Sequence, residues 1–504
     1  MLEKYTKKIL SAKVYEAAIE TPLEIASSLS NRLGNQILIK REDLQSVFSF
    51  KIRGAYNMIA NLSKEQQQAG IICASAGNHA QGVAQSAKLM GIKATIVMPV
   101  TTPPIKVSSV RSRGGKVVLH GDSFDEAYAH AVKLQQENNL TFVHPYDDPD
   151  VIAGQGTIAR EMLHQHSPEK IDAVFVPVGG GGLAAGVSAY IKYLRPEIKV
   201  IAVEYEESAC LDAALKAGRR TSLKEVGLFA DGIAVAQIGK ETFKVLKDCI
   251  DEVITVSADE ICAAIKDIFD DTRSVAEPAG ATATAGMKKY IERNQLQGKT
   301  LVTVCSGANV NFDRLRYVAE RAEVGEHHEA IFSVTIPEKP GSFKRFISHI
   351  GKRQITEFNY RYNDASNARI FVGLKTTGDD ERETILKRLQ EDTYHVLDLT
   401  KNEVAKMHVR HMVGGHSAGV QNELLLRFEF PERPGALLKF LNALGGHWNI
   451  SLFHYRNHGA AYGRVLCGVQ VPKEDIKDFY TKLDELGYPY WDESKNPAYE
   501  AFLS

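Results

Sequence analysis

The sequence predicts an α/β chain in three parts: two lobes of parallel sheet sharing one catalytic unit, then a duplicated α+β module. Three observations carry that expectation. Short apolar runs alternate with helical patterns from about residue 70 to 307, Gly- or Ser-rich turns fall at the ends of several such runs, and one long C-terminal stretch recurs. A chain of 504 residues also exceeds what one hydrophobic core organises, so about three domains are expected.

In order, QILIKRED (36–43) reads as a strand, GIICAS as a strand, and GNHAQGVAQSAKLMG as a helix closed by Gly91. KATIVMP (strand), PPIKVSSVRSRGG (helix), KVVLHG (strand), SFDEAYAHAVKLQQENN (helix) and TFVHP (strand) follow. A second series runs from IDAVFVPVG through the helix GLAAGVSAYIKYL and the strand KVIAVE to TLVTVCSG at 300–307. Strands alternating with helices imply right-handed crossovers and parallel sheets with helices on both faces. Ligands then belong in the crevice at the strand carboxyl ends. The expected catalytic unit is 1–318, with a small lobe at about 52–145 inserted in the large one, and a charged helical neck at 319–329.

Beyond the neck, IFSVTIPEKPGSFKRFISHIG (331–351) is repeated as LLRFEFPERPGALLKFLNALG (425–445). Pro337, Pro340 and Gly341 recur as Pro431, Pro434 and Gly435; Tyr360 recurs as Tyr455, and Arg369 as Arg464. Each copy, 330–401 and 424–504, reads as strand, Pro-Gly turn, helix, two strands, helix, which gives a βαββαβ sandwich with its helices on one face. Such a pair suits either a structural, dimerising module or a pair of amino-acid sensors with effector sites at the strand–helix turns.

Composition narrows the function. Hydrophobic residues make up 44% and charged residues 24%, the profile of a globular protein. A net charge of −1 gives no reason to expect nucleic acid or an anionic membrane as a partner. No apolar run reaches the roughly 18 residues of a membrane span. The charged N-terminus lacks the apolar core of a signal peptide, and six cysteines without CxxC pairs suit a reducing cytoplasm.

Four motifs carry chemistry. SFKIRGA (49–55) places Lys51 between Phe50 and Gly54 at a strand–helix junction, where partial desolvation would lower its pKa and make it nucleophilic. Alone, a lysine at a helix start is usually an exposed charge. SAGNHAQG (75–82) opens a helix at a strand end; the unpaired N–H groups of Ser75, Ala76, Gly77 and His79 could receive a carboxylate, and the Asn78 amide could bind a ring hydroxyl. Its plain alternative is an N-cap without a ligand. VGGGGLAAG (178–186) is a phosphate-type loop, but Gly180, Gly182, Ala185 and Glu204 also satisfy a dinucleotide fingerprint, so a nicotinamide dehydrogenase competes at this point. CSGAN (305–309) ends a strand and presents Ser306; alone it could be a plain Ser-Gly turn.

Together these motifs, over essentially the whole chain, resemble the biosynthetic threonine deaminases, pyridoxal-phosphate enzymes of the tryptophan-synthase-β-like group with two ACT-like C-terminal domains. The resemblance implies that Lys51 holds pyridoxal 5'-phosphate as a Schiff base, with Phe50 packed on the ring. Asn78 then contacts the ring hydroxyl, Gly179, Gly180, Gly181, Gly182 and Leu183 cradle the phosphate, and Ser306 faces the pyridine nitrogen. Ser75, Ala76, Gly77 and His79 surround the carboxylate of L-threonine, or of L-serine. The implied reaction gives 2-oxobutanoate and ammonia, the entry to isoleucine synthesis. Isoleucine would inhibit and valine would activate through Tyr360 and Tyr455, whose plain alternative is aromatic packing in the sheet, and the expected assembly is a homotetramer.

Two departures sharpen the expectation. Related serine racemases carry a second serine where Ala76 stands, and alanine cannot act as a base on the opposite face of Cα. Cys210 replaces an acidic ligand of their divalent cation, so no metal is expected. Serine dehydratase and cysteine synthase chemistry remain the rivals nearest in mechanism.

Overall fold

The computed structural model describes residues 1–121, 123–167, 170–312, 314–339, 341–351, 353–361, 366–402, 405–406, 409–411, 417, 419–431, 435–444, 447–456 and 462–496. These form two compact units, Met1–Ala322 and Glu323–Ser504.

The first unit holds strands β1 (Leu23–Ile25), β2 (Gln36–Arg41), β3 (Ile71–Ala74), β4 (Ala94–Met98), β5 (Lys116–Leu119), β6 (Thr141–Phe142), β7 (Ala173–Pro177), β8 (Lys199–Tyr205), β9 (Glu252–Val256) and β10 (Thr300–Cys305). They make a six-stranded sheet in the order β1-β2-β10-β7-β8-β9 and a four-stranded sheet in the order β5-β4-β3-β6. Every pairing is parallel except β1 with β2. Both faces of the larger sheet are buried, which explains why its strands read as continuous apolar runs. Val174, Val176, Val200 and Ala202 face one core cluster, while Ala173, Phe175, Ile201 and Val203 face the other. Two expectations are refined: the run TFVHP is a strand only at Thr141–Phe142, and the antiparallel edge strand β1 carries no distinct sequence signal.

The second unit holds β11 (Glu329–Pro337), β12 (Ile355–Arg361), β13 (Asn367–Lys375), β14 (His395–Asp398), β15 (Glu423–Pro431), β16 (Asn449–Arg456), β17 (Tyr462–Gln470) and β18 (Tyr490–Asp492). Each repeat copy has the expected βαββαβ order. The two copies join through antiparallel pairing of β12 with β16, so that one eight-stranded sheet runs β14-β11-β13-β12-β16-β17-β15-β18. Phe346, Ile385, Phe440 and Phe479, one from each of the four copy helices, enter a single core cluster against the sheet, so the helices cover one face. Gly341 and Gly435 both open their helices at φ +87° and +88°, a left-handed turn that glycine adopts without steric cost. Pro340 and Pro434 of the same signature lie outside the described residues.

Candidate active site

Lys51 begins the helix Lys51–Ala60, and neighbouring backbones fix that helix closely. A Cβ at Gly154 would meet the Arg53 carbonyl at 2.6 Å, and one at Gly186 would meet the Gly156 nitrogen at 2.6 Å. Three helices, Lys51–Ala60, Pro149–Gln165 and Gly182–Leu194, therefore pack with their backbones nearly touching. Behind Lys51, the fully buried Arg53 donates to Glu42 (Nε, 2.8 Å) and Glu161 (Nη1, 2.5 Å), and Lys40 donates to Glu161 at 2.6 Å. Buried charges of this kind persist only when paired and hydrogen-bonded, so the cluster pins the helix from below.

The Lys51 amine donates to the Pro145 carbonyl at 3.0 Å and stands 5.1 Å from the Phe50 ring centre. Burial pulls its pKa down to about 8, and the nearby Glu277 carboxylate opposes the shift. Among buried ionisable groups in a cleft, a lysine shifted in this direction is a candidate nucleophile and base.

The motif SAGNHAQG sits where expected, after β3, with Gly77 at the N-cap of helix Asn78–Met90. The first N–H groups of that helix have no partner within it, but two of the N–H groups expected to be unpaired are engaged: that of Ser75 donates to the Val97 carbonyl at 3.1 Å and that of Gly77 to Ser75 Oγ at 3.3 Å. The His79 side chain, however, is in the core: Nε2 donates to the Val143 carbonyl at 2.8 Å, and burial holds its pKa at about 3. What His79 offers the cleft is its backbone N–H. Asn78 donates from Nδ2 to Glu277 at 2.5 Å and accepts from Asn309 Nδ2 at 2.7 Å.

In the glycine loop, the carbonyls are held away from the cleft. The Gly180 carbonyl accepts from Thr242 Oγ1 (2.8 Å) and from the Gly239 N–H (3.3 Å), and that of Gly179 accepts from Cys210 Sγ (3.4 Å). Gly181 has φ +91° at the N-cap of helix Gly182–Leu194. A Cβ at Gly180 would collide with the Tyr146 ring, and one at Gly179 would meet Ile233 Cα at 2.8 Å. Only glycines fit, and the geometry is that of an anion cradle at a helix N-terminus. Leu183 follows at the first turn and is buried.

Ser306 is buried at the end of β10, its hydroxyl donating to the Ala279 carbonyl at 3.3 Å. Its own carbonyl accepts from the Phe50 N–H at 3.2 Å, which ties CSGAN to the start of the lysine helix. The dinucleotide reading of Glu204 fails here: both its oxygens accept helix N–H groups, from Leu211 and Asp212, at 2.8 Å. Among the described residues no group of three or more His, Cys, Asp or Glu side chains could hold a metal.

Tyr146 and Glu277 escape sequence reasoning, and Asn309 lies inside CSGAN without standing out as a site residue. HPYDDP and EPAG sit at helix starts (Pro149 and Pro278 open helices) and were the available signals.

The tail sites differ from each other. Tyr360 is buried, donates to Glu338 at 2.6 Å, and lines a pocket with Gly341 and Phe343 of its own copy and Leu441, Trp448 and Asn449 of the other. Tyr455 is buried in the same core cluster, paired across the sheet with Phe358, while Tyr360 pairs with Phe453.

An enclosed lysine, a cradle that excludes any Cβ, an amide and a serine at strand ends fit pyridoxal phosphate. Comparison with known proteins agrees. Residues 14–307 match the family of pyridoxal-phosphate dependent enzymes, and 320–409 and 414–503 match the C-terminal regulatory domain of threonine dehydratase. The chain is 58% identical over 503 residues to a biosynthetic L-threonine dehydratase of Burkholderia multivorans, covering 99% of each chain. It is 57% identical over 501 residues to the Escherichia coli enzyme, covering 99% of this chain and 97% of that one. Among solved structures, the processed form of threonine deaminase isoform 2 from Solanum lycopersicum aligns at 49% identity and TM-score 0.63, over 64% of this chain and 93% of that one. Maize serine racemase aligns at 31% identity and TM-score 0.59, over 64% and 99%. The chain belongs to the biosynthetic threonine dehydratases, pyridoxal-phosphate enzymes that carry a C-terminal regulatory domain.

Proposed function

We propose that the chain dehydrates and deaminates L-threonine to 2-oxobutanoate and ammonia, with Lys51 as its base, under isoleucine inhibition and valine relief. The observation that carries this reading is the enclosed Lys51 amine, its pKa pulled down to about 8, donating to the carbonyl of Pro145 next to Tyr146, whose ring leaves no room for a Cβ at Gly180. Pyridoxal phosphate, when bound, supplies an electron sink for the substrate Cα–H bond.

The chain supplies the rest. Lys51 would hold the cofactor through Nζ and, once the substrate amine has displaced it, the freed Nζ would accept the Cα proton. The N–H groups of the Gly179–Leu183 turn would bind the phosphate, Phe50 would pack on the ring, and the Asn78 amide would meet the ring hydroxyl. Ser306 can turn its long 3.3 Å bond from Ala279 toward the ring nitrogen; a neutral hydroxyl leaves that nitrogen unprotonated and favours rapid loss of the β-hydroxyl over transamination. The Ser75–His79 turn takes the substrate carboxylate, and Ala76 offers no second base, which disfavours racemisation.

For regulation, the pocket at Tyr360, which Glu338 also lines, supports an amino-acid effector. Tyr455 is the corresponding candidate in the second copy. An effector acts only by binding two states unequally. A cytoplasmic location is supported by six free, buried cysteines, and no helix among the described residues is long and apolar enough to cross a membrane. The proposed assembly is a homotetramer, which light scattering would test.

The test is keto-acid release from threonine by the purified protein, with and without isoleucine. Release that isoleucine suppresses is expected. Release unaffected by isoleucine would remove the regulatory half, and no release would remove the whole proposal.

A further inference from the structure

We propose that Glu277, acting with Asn309, is a positioning residue that locks the Asn78 amide so that one Nδ2–H is presented to the cofactor. The proposal rests on the reading that Asn78 faces the ring hydroxyl.

The orientation of an amide is decided by its hydrogen-bond network. Here two independent ends of the network demand the same answer. At one end, the Val47 carbonyl can only accept, and Asn309 Nδ2 donates to it at 2.8 Å. That fixes which edge of Asn309 is the nitrogen, and its second N–H reaches Asn78 Oδ1 at 2.7 Å. At the other end, Glu277 Oε1 lies 2.5 Å from Asn78 Nδ2. With its oxygen and one N–H engaged, Asn78 has a single N–H left. Its amide cannot flip without breaking both contacts.

Glu277 is built into this place. It is 4% exposed and stands at the N-cap of helix Pro278–Asn294 without capping it through its side chain. Its N–H donates to the Gly307 carbonyl at 3.1 Å, and a Cβ on Gly307 would come within 2.5 Å of Oε1. The residue next to Ser306 must therefore be glycine for the carboxylate to reach Asn78. Burial, and then Asp231, push the Glu277 carboxyl up to about 7. Such a cost of burial is accepted where an acceptor must be held at one spot. Asp231 is itself paired with Lys106 at 2.8 Å.

The experiment compares Glu277→Ala, Glu277→Gln, Asn309→Ala and Asn78→Ala in the full chain. The readouts are the visible band of the bound cofactor, the cofactor Kd, the kcat and KM for threonine, and the thermal unfolding of the cofactor-free protein. Glu277→Ala and Asn309→Ala should move the band toward that of Asn78→Ala and weaken cofactor binding, by about tenfold for the charge-assisted hydrogen bond of Glu277 and by about fivefold for the neutral one of Asn309. Their kcat should fall with little change in KM. Glu277→Gln, whose amide oxygen can accept the same bond, should restore the band and bring the Kd within about threefold of wild type.

If Asn78→Ala shifts the band but Glu277→Ala and Asn309→Ala do not, the positioning role is wrong while the Asn78 reading stands. If Glu277→Gln is as impaired as Glu277→Ala, charge rather than orientation matters, and the proposal falls. If Asn78→Ala itself leaves band and Kd unchanged, the underlying reading fails first. Should Glu277→Ala unfold the cofactor-free protein, Glu277→Gln and Asn309→Ala decide the matter alone.

Discussion

The two units bury their cores in opposite ways. In Met1–Ala322 the sheets are parallel and covered by helices rich in Ala and Gly, such as Pro149–Gln165 and Gly182–Leu194, which press backbone against backbone. In Glu323–Ser504 the sheet is antiparallel, and the space beneath its helices is filled by Phe332, Phe346, Phe358, Phe428, Phe440, Phe453 and Phe479. Close backbone packing brings several strand ends and helix starts to one cleft, and it tolerates buried charge where that charge is fully paired. Aromatic filling makes a duplicated platform, with a pocket where the two copies meet. Precision of placement marks the catalytic unit, and volume of burial marks the tail.

Both tryptophans, Trp448 and Trp491, lie in the tail, so their fluorescence follows that unit alone, while the band of bound cofactor follows the other. This makes the contrast testable. The largest effect is expected from Arg53→Met, which strands Glu42, leaves Glu161 with Lys40 alone and should destabilise the catalytic unit by about 3–5 kcal/mol. Denaturant titration should show the cofactor band lost early while the tryptophan transition stays in place. A tryptophan transition that moves as far would mean the units do not unfold separately. Phe358→Ala should do the reverse, moving the tryptophan transition by about 3 kcal/mol through a cavity in the aromatic core; a shift under about 1 kcal/mol would show that the core collapses to fill it.

The pH dependence sharpens the catalytic side. Lys51 is nucleophilic only when neutral, and a pKa lowered to about 8 leaves roughly a quarter of it neutral at pH 7.5, against about a thousandth for an ordinary lysine. The rate at which cofactor-free protein takes up pyridoxal phosphate should therefore rise through pH 8 and level off above it. A rate still climbing at pH 10 would indicate an unperturbed amine. The smallest effect is expected from Tyr360→Phe, which deletes the 2.6 Å bond to Glu338. It should raise the isoleucine concentration for half-inhibition by about five- to tenfold, equivalent to one hydrogen bond; unchanged sensitivity would leave Tyr360 as sheet packing only.

Much of the catalytic unit was legible because its chemistry is local. SAGNHAQG and VGGGGL each join a strand to a helix, SFKIRGA opens a helix and CSGAN ends a strand, places where a short motif dictates backbone geometry as well as chemistry. The repeat was equally plain, because a Pro-Gly turn and alternating apolar strands are local patterns too. What sequence reading missed depends on partners far along the chain. Glu277 matters through Asn78, 199 residues away, and the Arg53 cluster needs Glu161, 108 residues away. His79 stands in the right motif, yet the Val143 carbonyl draws its ring into the core. Duplication announced two modules but not their union through β12 and β16, since edge pairing depends on exposed backbone rather than side-chain pattern.

Lys51 links these observations, and one measurement addresses it directly. Borohydride treatment of the cofactor-loaded protein, followed by peptide mapping, should fix one pyridoxyl group per chain on Lys51, in the peptide containing SFKIRGA, and abolish threonine turnover in proportion. A stable adduct on any other lysine, or full turnover after Lys51 has been modified, would contradict the assignment.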